Sequence, residues 1–238
     1  MPYFQGIRTI FSHIPKTAGE SVVETLEAYS EENNLGRIIT TRKHETMLDL
    51  FYHTAQNDMR NEFRDAFKFS IVRNPWDRIH SWFHYNQNMW ETMPDGFPPD
   101  ATTFTDEVPP CEYDCKDRFL SMDFNLWVKN ITVYGDDSSK DRFCKSTICP
   151  FHQIAPQYLF VVDNSGFFLI NDFLRFEDLN LWSDFVSERM SIVPPPELVF
   201  KNKGPSSRSY VDSYDKSSID IIRNMYATDI RFFGYDFK

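Results

Sequence analysis

No segment of this sequence approaches the roughly 20 consecutive apolar residues that a membrane-crossing helix requires. Its most apolar stretch, YLFVVDNSGFFLI, is interrupted by Asp163-Asn164-Ser165-Gly166. The opening residues MPYFQGIRTIF lack a basic segment followed by an apolar run, so they do not read as a secretory leader, and a cytoplasmic protein is expected. Positive charge is also in short supply, with 25 Lys and Arg against 35 Asp and Glu and a net charge of -10. That balance excludes broad binding to nucleic acid or to an anionic membrane surface, but leaves room for a local basic pocket. Internal repeats are absent. Cysteine is scarce: Cys111 and Cys115 in CEYDC, Cys144 and Cys149 in CKSTIC. Four cysteines allow three disulfide connectivities. The C-x3-C and C-x4-C spacings are not those of tight zinc knuckles, so no metal is expected. A disulfide clip, free thiols and a loose cluster with His152 nearby all stay open at this point.

What is present is a globular composition, 41% hydrophobic and 16% aromatic over 238 residues, enough for one large α/β domain with its own core. IRTIFSHI reads as a short buried strand, followed by a helix in SVVETLEAYS with Val22, Leu26 and Tyr29 on one face. GRIITT is a second strand and HETMLDLFYHTAQND a second helix; FKFSIV, alternating Phe67, Phe69 and Ile71, is a third strand. A helix opens at RNPWDRIHSW, with Asn74 as N-cap and Pro75 in the first helical position. Strands alternating with helices predict a parallel sheet covered on both faces. Residues 91–118 carry five prolines (Pro94, Pro98, Pro99, Pro109, Pro110) and the first cysteine pair, and the stretch at about 91–150 reads as an insert with one helix in FLSMDFNLWVKNI. Beyond it, YLFVVDNSGFFLINDFLRF reads as a hairpin turning at Asp163–Gly166. An amphipathic helix in EDLNLWSDFVSERM and a last helix around SSIDIIRNMYATDI complete one domain over 1–238.

Two stretches carry chemistry. SHIPKTAGES places Lys16, Thr17, Ala18, Gly19, Glu20 and Ser21 where a strand gives way to a helix. Helix N-termini expose unpaired N–H groups and a partial positive charge, so they receive phosphate or sulfate readily. Lys16 adds a full charge, Thr17 and Ser21 add hydroxyl donors, and Gly19 lets backbone approach closely. The alternative is a capped helix with Lys16 merely exposed. The order of residues is not the G-x-x-x-x-G-K-[ST] of a Walker loop, because the lysine precedes the glycine. FSIVRNPWDRIHSW sets Arg73 at a strand's C-terminal end before a helix, a second natural anion position, with Ser81 further along that helix. A salt bridge from Arg73 to Asp77 is the competing reading. One lysine-based and one arginine-based site suit a ligand with two separated anionic groups.

Together, IPKTAGES and, about fifty residues later, FSIVRNPWDRIHSW resemble the sulfotransferases that use PAPS (3′-phosphoadenosine 5′-phosphosulfate), on the carbohydrate-type branch that includes the heparan-sulfate 2-O-sulfotransferases. KHETM, LRFEDL and IRNMYATDIRFFGYDF are similar to further segments of that family, while 91–150 is unmatched. The resemblance implies an α/β, P-loop-like fold and an enzyme transferring a sulfuryl group from PAPS to a hydroxyl of a saccharide, a glycolipid or a small metabolite, without a required metal. It also implies that Lys16–Ser21 cradle the 5′-phosphosulfate, that Arg73 and Ser81 hold the 3′-phosphate, and that Lys203 or Arg208 in KNKGPSSRSY closes over the nucleotide. His44 is then the general base, suited by an unperturbed pKa of about 6.5, with Glu45 and Glu20 as substitutes. Lys16 stabilises charge on the leaving oxygen. A P-loop nucleotide kinase or phosphotransferase, and a non-catalytic nucleotide-binding domain, are the competing functions. The i, i+4 pair His80 and His84 has no third ligand at a telling spacing and is expected to pack or to contact the acceptor.

Overall fold

The computed structural model describes residues 2–40, 44–57, 59–92, 120–134, 154–200 and 209–238. The four cysteines, His152, Lys203 and Arg208 lie outside them. The chain forms two compact units, Met1–Asn74 with Pro156–Lys203, and Pro75–Ala155 with Gly204–Lys238. No helix among the described residues is long and apolar enough to cross a membrane.

The first unit is built on a five-stranded sheet of order β3-β1-β2-β4-β5, where β1 is Pro2–Phe4, β2 Thr9–Ser12, β3 Ile38–Thr40, β4 Phe67–Val72 and β5 Asp172–Arg175. Strands β2, β4 and β5 run parallel, but β1 lies antiparallel between β3 and β2, so the expected parallel sheet is mixed. The reason is local. Arg8 N–H donates to Gln5 O at 3.1 Å and closes a turn that folds the first residues back onto β2. A three-residue strand shows too little alternation to be recognised in advance.

The expected hairpin over 158–176 is also corrected. The Asp163 carboxylate accepts from Ser165 N–H (2.8 Å) and Phe167 N–H (2.9 Å), which makes the turn where it was expected. Only the single bridge Val162–Phe168 follows it. Asn171 then exchanges hydrogen bonds with the Lys68 backbone (2.7 and 2.8 Å), and this hooks the chain beside β4 so that β5 runs parallel to it.

Alternation along the strands sends side chains to two cores, as the covered-sheet expectation requires. Phe11, Phe69 and Ile71 join Val22 and Leu26 of α1 (Gly19–Glu32) and Trp182, Phe185 and Val186 of a later helix, α6 (Trp182–Met190). Ile10 and Tyr3 join Met47 and Leu50 of α2 (Met47–Gln56) and Phe63 of α3 (Arg60–Asp65). Helix α2 starts at a capping box: Thr46 Oγ1 accepts from Asp49 N–H, and the Asp49 carboxylate accepts from Thr46 N–H. The helix foreseen in EDLNLWSDFVSERM begins as a 3-10 turn over Phe176–Leu181 before continuing as α6.

The described residues of the second unit are mainly helical: α4 (Pro75–Thr92), α5 (Phe124–Tyr134), α7 (Lys216–Met225) and α8 (Ala227–Phe233). Helix α4 opens at its proline as expected, while the last expected helix divides at Tyr226. Trp76, Ile79, Trp82, Phe83, Phe124, Trp127, Ile222 and Tyr226 form its core. Trp82 stacks on Trp127 at 5.2 Å and 14°. Trp82, buried against Trp127, is therefore a packing residue. Tyr226 Oη and Arg78 Nη2 both donate to the carbonyl of Ile154, so two buried polar side chains fix one segment of backbone.

Candidate active site

Strand β2 ends at Ser12, and the chain turns through His13–Ala18 into α1. Thr17, fully buried, donates from Oγ1 to Ile14 O at 2.9 Å and closes the turn. Lys16 (φ 66) and Ala18 (φ 64) take left-handed backbone on either side of Thr17. Alternation of this kind curls successive N–H groups around a concavity that suits an anion, here at the N-terminus of a 14-residue helix. The arrangement fits a phosphate or sulfonate oxygen cluster with Lys16 beside it.

Gly19 also has a packing reason to lack a side chain. A Cβ on it would lie 1.9 Å from Cδ2 and 2.1 Å from Nε2 of His13, so the glycine makes room for that ring. His13 is 4% exposed and was not singled out from sequence, although it stands inside the motif itself. A histidine next to a strand end carries no periodic signal that separates core from site.

Arg73 is brought to the same loop. Its Nη1 donates to Lys16 O at 3.0 Å, and its guanidinium lies 4.0 Å over the Phe176 ring. Its backbone is gripped by Gln157, which is fully buried: Arg73 N–H donates to Gln157 Oε1 (2.9 Å), and Gln157 Nε2 donates to Arg73 O (2.8 Å). Asn74 N–H donates to Glu177 Oε1 at 2.7 Å, so Glu177 braces this strand end. Gln157 and Phe176 were not anticipated, because their role depends on segments 84 and 103 residues away in sequence.

His44 precedes α2. Its Nδ1 lies 3.0 Å from the His13 carbonyl oxygen, and its ring meets the His13 ring edge-on at 4.6 Å. A carbonyl only accepts, so Nδ1 carries the proton and the neutral ring holds its lone pair on Nε2. That is the tautomer a general base needs. One carboxylate oxygen of the adjacent Glu45, Oε2, is buried without a hydrogen-bond partner. Lys16, Thr17, Ala18, Gly19, Glu20, Ser21, Arg73 and His44 thus belong to one unit. Ser81 lies half-buried on α4 in the other. The Nε2 atoms of His80 and His84 face each other at 3.0 Å, and both rings pack on Phe124. Among the described residues no group of three or more His, Cys, Asp or Glu is placed to hold a metal ion.

An α/β sheet with a strand-to-helix loop suited to an anion, an arginine bonded to that loop and a histidine beside it is an arrangement that can handle an anionic group. The family model described as the sulfotransferase family matches residues 7–236, and the chain belongs to that family. Neither a curated protein nor a solved structure gives a significant match. The protein is accordingly a transferase of sulfuryl groups, and a kinase is not favoured.

Proposed function

We propose that this protein transfers the sulfuryl group of PAPS to a hydroxyl of a saccharide, a glycolipid or a small metabolite. The observation that carries the reading is the bond from Arg73 Nη1 to Lys16 O, which joins the two anion loops. PAPS supplies an activated sulfuryl group between a phosphate and the incoming oxygen, and a 3′-phosphate as handle. The Lys16–Ser21 turn and the α1 N-terminus would hold the 5′-phosphosulfate by backbone N–H groups. Arg73 would take the 3′-phosphate with its planar fork of N–H donors. Ser81, Lys203 and Arg208 are further candidates for that handle. His44 would accept the hydroxyl proton at Nε2 as the oxygen bonds to sulfur and the bond to the phosphate oxygen breaks, with Lys16 opposing charge on the departing 3′,5′-ADP. Positioning and electrostatics supply most of the rate, as in phosphoryl transfer.

Calorimetric titration with 3′,5′-ADP in the absence of metal, compared with 5′-AMP and with magnesium-ATP, tests the donor. Tight binding that needs the 3′-phosphate and falls at least about tenfold in Arg73→Ala is expected, since a charge-assisted hydrogen bond contributes about 1.5–3 kcal/mol. Preference for magnesium-ATP would overturn the reading. His44→Ala is expected to keep 3′,5′-ADP affinity and to lose about 100-fold or more in rate. Normal turnover in that variant would remove His44 from the role of base.

A further inference from the structure

We infer that His13 is a positioning residue that ties the geometry of the nucleotide loop to the base; the inference rests on the functional reading above. His13 touches both parts. Its Cδ2–Nε2 edge lies against Gly19, the first residue of α1, so closely that a single methyl there has no room. Its carbonyl fixes the proton on Nδ1 of His44, and its ring supports the His44 ring edge-on at 4.6 Å. Phe11 stacks on the ring as well, at 5.9 Å and 28°. The ring is held between the sheet, the helix N-terminus and the base.

The consequence is mechanical. Any shift of Gly19 moves the His13 ring, and any shift of His13 moves both the carbonyl that sets the His44 tautomer and the wall that sets its orientation. Misplacing a catalytic group by about 1 Å costs roughly 100-fold in rate. A glycine in the first turn of α1 has ordinary helical backbone, since its φ is not among the positive values; the three atoms nearest to an alanine Cβ there all belong to the His13 ring. The strain of Gly19→Ala is therefore removable by shortening His13.

The test uses the full chain, with release of labelled sulfate from PAPS into water as the rate probe and 3′,5′-ADP titration as the loop probe. His13→Ala is expected to lower kcat about 10- to 100-fold while the Kd for 3′,5′-ADP stays within about threefold. In a His44→Ala background the same change should cost less than about threefold, because residues acting as a unit are non-additive. Gly19→Ala should weaken 3′,5′-ADP about tenfold or more, and Gly19→Ala with His13→Ala should restore that affinity without restoring kcat. His13→Leu keeps most of the volume and provides the same split should the alanine variant not fold. Equal losses in kcat with and without His44, or kcat and affinity falling in parallel, would overturn the inference. A wild-type chain indifferent to the 3′-phosphate would instead refute the PAPS reading on which it rests.

Discussion

Replacing Gln157 with alanine separates the support of the site from the site itself. Gln157 touches no expected ligand, yet its amide satisfies both the N–H and the C=O of Arg73 at 2.9 and 2.8 Å while fully buried. Removing it orphans two backbone groups. Each costs about 1–3 kcal/mol if left unsatisfied, so the loss is about 2–6 kcal/mol. For a chain of this length each kcal/mol moves the melting temperature by about 2–4 °C, which gives a fall of roughly 4–24 °C by calorimetry. Arg73 would lose its fixed approach to Lys16, and 3′,5′-ADP affinity should weaken with it. Gln157→Glu sharpens the test. The carboxylate still accepts from Arg73 N–H, but its second oxygen opposes Arg73 C=O, so the variant should be less stable than alanine at neutral pH. Protonation restores a donor, so it should recover stability relative to alanine as the pH is lowered. A loss under about 1 kcal/mol in Gln157→Ala, with unchanged 3′,5′-ADP affinity, would refute the claim that this clamp places Arg73.

Two further outcomes follow from the cores and caps. Asp215 caps α7 through Ser218 N–H and pairs with Lys129, and the Lys129 hydrogen bond, followed by the Ser218 backbone, lowers its pKa to about 2. Its contribution is present above the ordinary carboxylate value of about 4 and disappears as the pH falls towards about 2; Asp215→Asn should flatten stability against pH in that window, measured by urea unfolding, and 1 M salt should shrink the difference because the pair is exposed. Phe69, fully buried, meets Phe11 at 5.0 Å and Phe185 at 5.5 Å; Phe69→Ala should cost about 3–5 kcal/mol in denaturant unfolding, and a cost under 1 kcal/mol would show that this face of the sheet is not tightly packed.

Local signals were legible in the sequence. The strand-to-helix turn around Lys16, the strand before Arg73, the proline that opens α4 and the turn at Asp163 are each specified by residues adjacent in the chain, and each stands where it was expected. The residues proposed for the anion loop and the base were picked out by the same kind of local signal. Strand order was not. A three-residue β1 inserted antiparallel between β3 and β2, and a β5 that joins β4 in parallel through Asn171 and Lys68, depend on backbone pairing between distant segments. Backbone pairing reads hydrogen-bond geometry and is nearly indifferent to side-chain type, so it leaves little trace in residue pattern.

The site divides along the same line. Sequence alone determined which groups could meet an anion or take a proton: Lys16, the hydroxyls of Thr17 and Ser21, Arg73 and His44. Only the tertiary structure decided that Arg73 bonds to the Lys16 carbonyl, that Gln157 holds Arg73 in place and that His13 stands between Gly19 and His44. The first set follows from the chemistry of single residues and their neighbours in the chain. The second follows from closing loops of tens to more than eighty residues, where burial and the requirement that every buried donor find an acceptor select one arrangement.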